Sequence, residues 1–238
     1  MEEINVIEGL NFIHLFSGGL DSAYSLLKLA KDHTNKKRNG GIHPIFMDYG
    51  QKAASTEWNQ VQKLTKFISN IAEDSFIYIP IRINLESDLF KWCHNVAFTG
   101  KEVGDVNPEI QNRNMVLLSI LFSFLLGCAQ NQGVTRADFE ISSGFKDGEM
   151  GDCSATFFDA LTDIFRSYHG EYNMKIILLP PLSRKQVYAR IKALLGGSQN
   201  QLELFSSMTT SCYSPVNGNA CESCWKCRRI AEEKRDLR

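Results

Sequence analysis

The sequence predicts an α/β fold, a doubly wound and mostly parallel sheet followed by a small C-terminal cysteine-rich region. Three observations lead there. Short apolar or β-branched runs bounded by turn residues alternate with longer segments of helical apolar spacing. A glycine-rich turn, Ser17-Gly-Gly-Leu-Asp-Ser22, joins the first such run to the first helical segment. Four cysteines, Cys212, Cys221, Cys224 and Cys227, crowd the C-terminal end. With 238 residues the chain can bury one sizeable core and carry an appendage, divided as residues 1–205 and 206–238.

The first strand is expected over Asn11–Phe16, with the helix Asp21–Asp32 after the glycine turn. Lys31–Gly41, containing Lys36-Lys-Arg-Asn-Gly-Gly, is polar and turn-rich and reads as a surface loop. Strand Ile42–Asp48, helix Ala54–Asn70 and strand Phe76–Ile83 follow. Helix Asn114–Gln130 contains the longest apolar stretch, Met115 to Ala129, which Ser119 and Ser123 interrupt. It reads as too short to span a bilayer and as a buried core helix. Strand Ala137–Ser143, helix Cys153–Tyr168, strand Met174–Leu179 and helix Arg184–Leu195 complete the alternation, with Gly133, Gly170 and Gly196 at helix exits. In such sheets ligands sit beyond the carboxyl ends of the strands at a topological switch point, and Ser17–Ser22 falls at such an end.

Composition narrows the function classes. A net charge of −1 argues against a protein whose main task is to coat nucleic acid. The acidic start Met1-Glu-Glu-Ile-Asn does not resemble a signal peptide, and no membrane association is expected. Seven cysteines, four of them bunched, suit a metal site in a reducing cytoplasm better than a disulfide framework. The spacing Cys212-x8-Cys221-x2-Cys224-x2-Cys227 lets four thiolates converge on one ion, with Zn²⁺ the commonest structural outcome and an iron–sulfur cluster the rival. Gly218, between Asn217 and Asn219, supplies the turn between the first ligand and the triplet.

Ser17–Ser22 is built as a phosphate cradle. Gly18 and Gly19 let main-chain N–H groups approach an anion, and the opening helix points its positive end at the same spot. Ser17 and Ser22 add hydroxyl donors, and Asp21 can hold Mg²⁺ or a ribose hydroxyl. An ordinary helix cap is the plainer account of the same residue types. There is no Gly-Lys-Ser/Thr, so the loop is not of the Walker kind. It resembles the loop of the N-type ATP pyrophosphatases, which split ATP between the α and β phosphates. On that resemblance Ser17, Gly18, Gly19, Leu20, Asp21 and Ser22 bind ATP, together with Asp48, Tyr49, Gly50 and Gln51 at the exit of the second strand. Without it, Asp48–Gln51 could be a strand-exit turn with glycine at the bend.

Further segments carry a closer resemblance. Ser17–Ser22, Met47-Asp-Tyr-Gly-Gln51, Asn112-Arg-Asn114, the stretch Gly144 to Cys153, Pro181-Leu182 with Lys185, and Thr210-Ser-Cys212-Tyr before the cysteine triplet occur in the order seen in the 7-cyano-7-deazaguanine synthase family. The likeness extends over nearly the whole chain. It implies the adenine-nucleotide α-hydrolase-like, Rossmann-like fold, a homodimer, and a Cys₄ zinc site. It also implies an ATP-dependent ligase of the queuosine pathway that activates 7-carboxy-7-deazaguanine as an acyl-adenylate and converts it with ammonia to amide and then nitrile. Ser17, Asp21, Arg113 and Lys185 would be catalytic, and Asn112, Arg113, Asn114, Asp147 and Asp152 would contact the deazaguanine.

Two departures from the family pattern bear on the substrate. Lys52-Ala53 follows Tyr-Gly-Gln where relatives carry Arg-His, and Glu149-Met-Gly-Asp-Cys-Ser154 replaces Ser-Gly-Tyr-Pro-Asp-Cys-Arg. A guanidinium suits bidentate carboxylate binding and Ser154 has none, which leaves Lys146 or Arg113 to meet the acid group. Asp152, just before a helix, could instead be its N-cap. A relative from an antiphage defence system that acts on a deazaguanine acid, or attaches it to a protein amine, fits the same residues. So does a tRNA thiolase, which would favour an iron–sulfur cluster and a basic surface. A non-enzymatic module would use Lys226, Arg228, Arg229, Lys234 and Arg235 to hold RNA or a partner, and a charged, solvated terminal helix is the plainer account of that tail.

Overall fold

Phe12 and Ile13, adjacent in sequence, are both fully buried and belong to different hydrophobic clusters, because successive side chains of a strand point to opposite faces of a sheet. The computed structural model describes residues 4–36, 40–72, 76–85, 113–146, 154–213 and 215–235. Among them β1 (Gly9–Leu15), β2 (Ile42–Asp48), β3 (Ile81–Asn84), β4 (Ala137–Lys146) and β5 (Tyr172–Leu179) form a parallel sheet in the order β3-β2-β1-β4-β5. The chain runs outward from β1 through β2 to β3, then returns to place β4 on the other side of β1. The strand order therefore reverses at β1, as expected of a doubly wound sheet.

Helices cover both faces. On one side α1 (Leu20–Asn35), α2 (Ala54–Ile71) and α5 (Arg184–Leu194) pack on Phe12, Phe16, Ile42 and Phe46, and Phe205 of α6 (Gln199–Ser207) is buried beside Phe67. On the other side α3 (Arg113–Asn131) and α4 (Ala155–Tyr168) cover Ile13, Ile45, Phe139 and Ile141. A last helix, α7 (Trp225–Arg235), starts just after Cys224 and carries Cys227, the last of the cysteine triplet.

Several elements differ from the sequence expectation, three of them for identifiable reasons; α1 also runs on to Asn35, so Lys31–Asn35 belong to it rather than to the expected surface loop. The third strand was expected over Phe76–Ile83, but Ile77 makes only an isolated bridge to Ile42, and the regular strand starts at Ile81. Pro80 lies between them and cannot donate to a ladder. The fourth helix begins at Ala155 rather than Cys153, because the Ser154 hydroxyl accepts from the Phe157 N–H at 3.1 Å and is the N-cap. That cap is not Asp152. Helix α6 has no counterpart in the expected elements, since its polar surface and short length give little periodicity.

The length argument made for the apolar helix does not hold. At 19 residues α3 is long and apolar enough to cross a membrane by length and composition. Its packing decides the matter: Leu118, Leu121, Phe122 and Leu125 recur at helical spacing and are buried in the core. Phe122 stacks on Phe165 of α4 at 4.5 Å and meets Phe139 edge-on.

One polar side chain is sealed beneath this framework. His14 of β1 lies opposite Ser142 of β4, and its Nδ1 is 2.8 Å from the Ser142 hydroxyl. Burial lowers its pKa to about 3, and a backbone hydrogen bond at Ser22 offsets only part of that shift. The ring is neutral in the fold but protonates near 6.5 once unfolded, so its contribution to stability is complete above pH 6.5 and is lost as the pH falls toward 3. Relative to a His14→Asn variant, the wild type should lose about 1.4 kcal/mol for each pH unit below 6.5, one proton's worth. Urea unfolding of both proteins across that range measures the difference in slope, and parallel curves would contradict it.

Candidate functional site

β1 ends where the Phe16 N–H donates to the Ile45 carbonyl at 2.8 Å, and the chain then turns sharply into α1. Gly18 turns it with a φ of +71°, and a Cβ there would lie 3.0 Å from the backbone oxygen of Glu57 in α2. Gly19 is the N-cap of α1 and offers no side chain to satisfy the first N–H groups of the helix. Those donors, with the positive end of the helix, could receive an anion. The Ser22 hydroxyl donates to the Gly19 carbonyl at 3.0 Å and lies 3.0 Å from the Ser17 oxygen. Leu20 points its side chain into the core, so it can offer a ligand only its main chain.

Three neighbours hold this turn. α2 backs Gly18. β4 comes so close at Gly144 that a Cβ there would sit 2.8 Å from the Ser22 nitrogen. The Thr210 N–H, just before the first clustered cysteine, donates to the Gly18 carbonyl at 2.9 Å. Asp21, a third exposed, points its Oδ1 at the Lys146 ammonium, 3.0 Å away at the end of β4.

The second strand delivers Asp48, Tyr49, Gly50 and Gln51 to the same carboxyl edge. Asp48 accepts from the Gly50 N–H at 3.0 Å and is paired with the Arg82 guanidinium of β3, whose Nε donates at 3.0 Å. Gln51 is buried and braces the turn: its Oε1 accepts from the Tyr49 N–H at 3.0 Å, and its Nε2 donates to Glu57 at 2.9 Å. Both side chains thus serve the shape of the turn. Around Gln51 lie Tyr49, Glu57, Arg113 and Tyr213. Burial raises the pKa of Glu57 to about 7, opposed by the Gln51 hydrogen bond and by the Arg113 charge. Burial likewise raises the Tyr49 hydroxyl, opposed by Arg113, which also hydrogen-bonds it, and pushes Tyr213 to about 12.

Of the other residues singled out in the sequence, Arg113 opens α3 inside this cluster and Asn114 is buried behind it. Lys185 is exposed in the first turn of α5, beside the capping box made by Ser183 and Gln186, with β4 between its strand and β1. Asn112, Asp147 and Asp152 lie outside the described residues. Glu57 and Arg82 were not anticipated, and Thr210 entered only within the segment Thr210-Ser-Cys212-Tyr, with no role of its own. Of the first two, Arg82 alone had a signal, a lone cation inside the alternating run Ile81-Arg-Ile-Asn84.

The thiols of Cys212, Cys221, Cys224 and Cys227 all lie within 4.8 Å of one another. Between the first and second, Val216 and Asn219 pair across Asn217 and Gly218, both with positive φ, which is the backbone of a tight hairpin turn. Backbone N–H groups of Cys221 and Cys224 donate to the sulfurs of Cys212 and Cys221 at 3.2 and 3.3 Å, an arrangement that stabilises thiolate charge. The cluster could hold one metal ion, and four sulfur donors suit Zn²⁺ in a closed structural site.

The family profile described as "Queuosine biosynthesis protein QueC" matches residues 11–234. The chain is 28% identical over 229 residues to a 7-cyano-7-deazaguanine synthase of Leptospira interrogans, covering 90% of this chain and 81% of that one. It is 24% identical over 212 residues to 7-cyano-7-deazaguanine synthase 1 of Desulfitobacterium hafniense, covering 89% and 87%. Among solved structures, a 4-thiouridine synthetase in complex with RNA and ATP superposes with a TM-score of 0.46 at 13% identity, over 95% of this chain and 50% of that chain.

Glu57 gives the site a pH signature opposite in sign to that of His14. Its carboxyl is protonated in the fold up to about pH 7 but ionises near 4.5 when unfolded, so its contribution to stability is complete below 4.5 and is lost as the pH rises through 7. Glu57→Gln keeps an acceptor for Gln51 and removes the titration. Relative to that variant, the wild type should lose stability steadily between 4.5 and about 7 and hold a constant deficit above. Unfolding midpoints in urea over that window check the slope, and an unchanged slope would contradict the burial argument.

Proposed function

Because the chain belongs to the family of the queuosine biosynthesis protein QueC, we propose that it is an ATP-dependent ligase that activates the carboxylate of 7-carboxy-7-deazaguanine and joins it to nitrogen. The observation that carries this reading is the cradle Ser17–Ser22, clamped at the strand-order reversal with the uncapped N-terminus of α1 behind it. A carboxylate is a poor electrophile because oxide is a poor leaving group. Attack of its oxygen on the α-phosphorus of ATP makes an acyl-adenylate and expels pyrophosphate. The main-chain donors of the cradle and the hydroxyls of Ser17 and Ser22 receive the charge that grows on the departing phosphate. Ammonia then attacks the acyl carbon and AMP leaves, giving the amide. A second activation, at the amide oxygen, followed by loss of AMP gives the nitrile.

Asp21 is the carboxylate best placed to hold Mg²⁺ at the cradle, since Asp48 is already committed to Arg82 and the Gly50 N–H. Mg²⁺ bound there would neutralise phosphate charge during transfer. The cysteine cluster would hold Zn²⁺ in a structural role, tying the segment at Thr210 to the loop it crosses. Two features favour a product other than the nitrile as a second reading. The position where relatives carry arginine is Ser154, and its hydroxyl is engaged as the cap of α4. A divergent member that stops at the amide, or transfers the activated acid to a protein amine, needs the same first step.

Incubation with ATP, magnesium, the acid and ammonia should yield AMP and pyrophosphate by nucleotide chromatography, with the amide, nitrile or amine adduct identified by mass spectrometry. Ser17→Ala and Asp21→Ala should each cut turnover by about 100-fold or more, the usual loss when a preorganised charge-stabilising group is removed. ADP as the product of activation would overturn the mechanism.

Elemental analysis should find about one zinc per chain, as one Cys₄ site requires. Cys224→Ser should release it and lower the unfolding temperature, since metal binding at such a site contributes to folding. Iron with labile sulfide in the purified protein would replace zinc in this account.

A further inference from the structure

One buried cation faces the cradle from outside the motifs that define it. Lys146 is 8% exposed, and its ammonium is held by Asp21 at 3.0 Å. β4 is irregular at this end: it pairs with β5 in step as far as Ser142 opposite Ile177, and pairing resumes with Lys146 opposite Leu179. Two extra residues on β4 bend it inward, and Gly144 gives the clearance for its backbone to touch Ser22. The distortion therefore aims Lys146 at the first turn of α1.

Burial strips water from the ammonium, which strengthens its attraction for an anion, and the N-terminus of α1 presents positive charge at the same place. Asp21, a third exposed, is one partner of the ammonium. An anion that enters between the lysine and the helix end is attracted by both. The turn Ser17–Ser22 contains no cation of its own, so a phosphate seated on its N–H groups would find Lys146 as the neighbouring positive charge.

We propose that Lys146 is a phosphate-binding residue of the cradle, held in reserve by Asp21 and released to the nucleotide's phosphates when a divalent cation engages that carboxylate. The proposal rests on the ATP reading above and adds to it the residue that supplies the cation absent from the loop. As a point charge on a flexible stem, lysine suits a phosphate that changes charge during transfer.

Calorimetric titration with inorganic pyrophosphate, with and without magnesium, separates this role from a purely structural ion pair. With magnesium, Lys146→Met, which keeps the stem's volume, should weaken pyrophosphate binding about tenfold or more, or about 1.4 kcal/mol, and Lys146→Arg should recover most of it. Without magnesium, Asp21→Asn, which removes the carboxylate charge from the lysine and from the ligand's approach, should tighten pyrophosphate binding, and Lys146→Met added to it should abolish that gain. Equal affinity of wild type and Lys146→Met with magnesium would overturn the proposal, as would an Asp21→Asn variant that binds no tighter without it. The second arm stands even where Lys146→Met fails to fold. Release of AMP by the wild type with unaltered pyrophosphate affinity in Lys146→Met would remove only the lysine's role, whereas ADP release would remove the activation reading itself.

Discussion

A loop proposed to bind phosphate through its main chain must keep its donors available and still hold its shape, and the contacts around Ser17–Ser22 answer that constraint. The loop cannot brace itself with its own N–H groups without consuming them. Apart from one long contact, the Gly19 N–H to the Ser17 hydroxyl at 3.4 Å, it is held through carbonyls, hydroxyls and van der Waals contact. Thr210 donates to the Gly18 carbonyl, Ser22 donates to the Gly19 carbonyl, and Gly144 and Gly18 let β4 and α2 approach to backbone distance. A side chain at either glycine would push against main chain, which cannot yield cheaply.

The same economy governs the strand exit beside it. Asp48 and Gln51 spend their polar groups on Gly50, Arg82, Tyr49, Met47 and Glu57, so the Tyr-Gly-Gln turn is rigid before any ligand arrives. Burial then determines the charge states. Glu57, Tyr49 and Tyr213 surround Arg113 in a dry cluster that favours neutral acids, with one guanidinium as the source of positive charge among them. This cluster reaches from the cradle to the residue after Cys212, so the cysteine hairpin and the anion site share a boundary as well as the Thr210 hydrogen bond.

The architecture was largely legible because its signals are local. Short continuous apolar runs in β1 and β2, glycine at a strand-to-helix turn and cysteines at ligand spacing each lie within a few residues of sequence. Where expectation failed, a second local rule outweighed the first. Pro80 removed a donor from the run Phe76–Ile83, and Ser154 took the cap ahead of α4. For α3 length was the wrong criterion, and the buried stripe Leu118, Leu121, Phe122 and Leu125 was the right one.

By itself the sequence determined the α/β alternation, the glycine-rich strand-to-helix turn, the cluster of four cysteines and the family to which the chain belongs. Tertiary structure alone decided that Lys146 faces Asp21, that Arg82 claims Asp48, that Glu57 is buried near Arg113, and that Thr210 crosses the loop. The physical reason is the same in each case. A lysine, an arginine or a glutamate reads as a solvated surface charge until a distant strand or helix removes its water and supplies its partner, and that desolvation is a property of the packed fold rather than of any short stretch of chain.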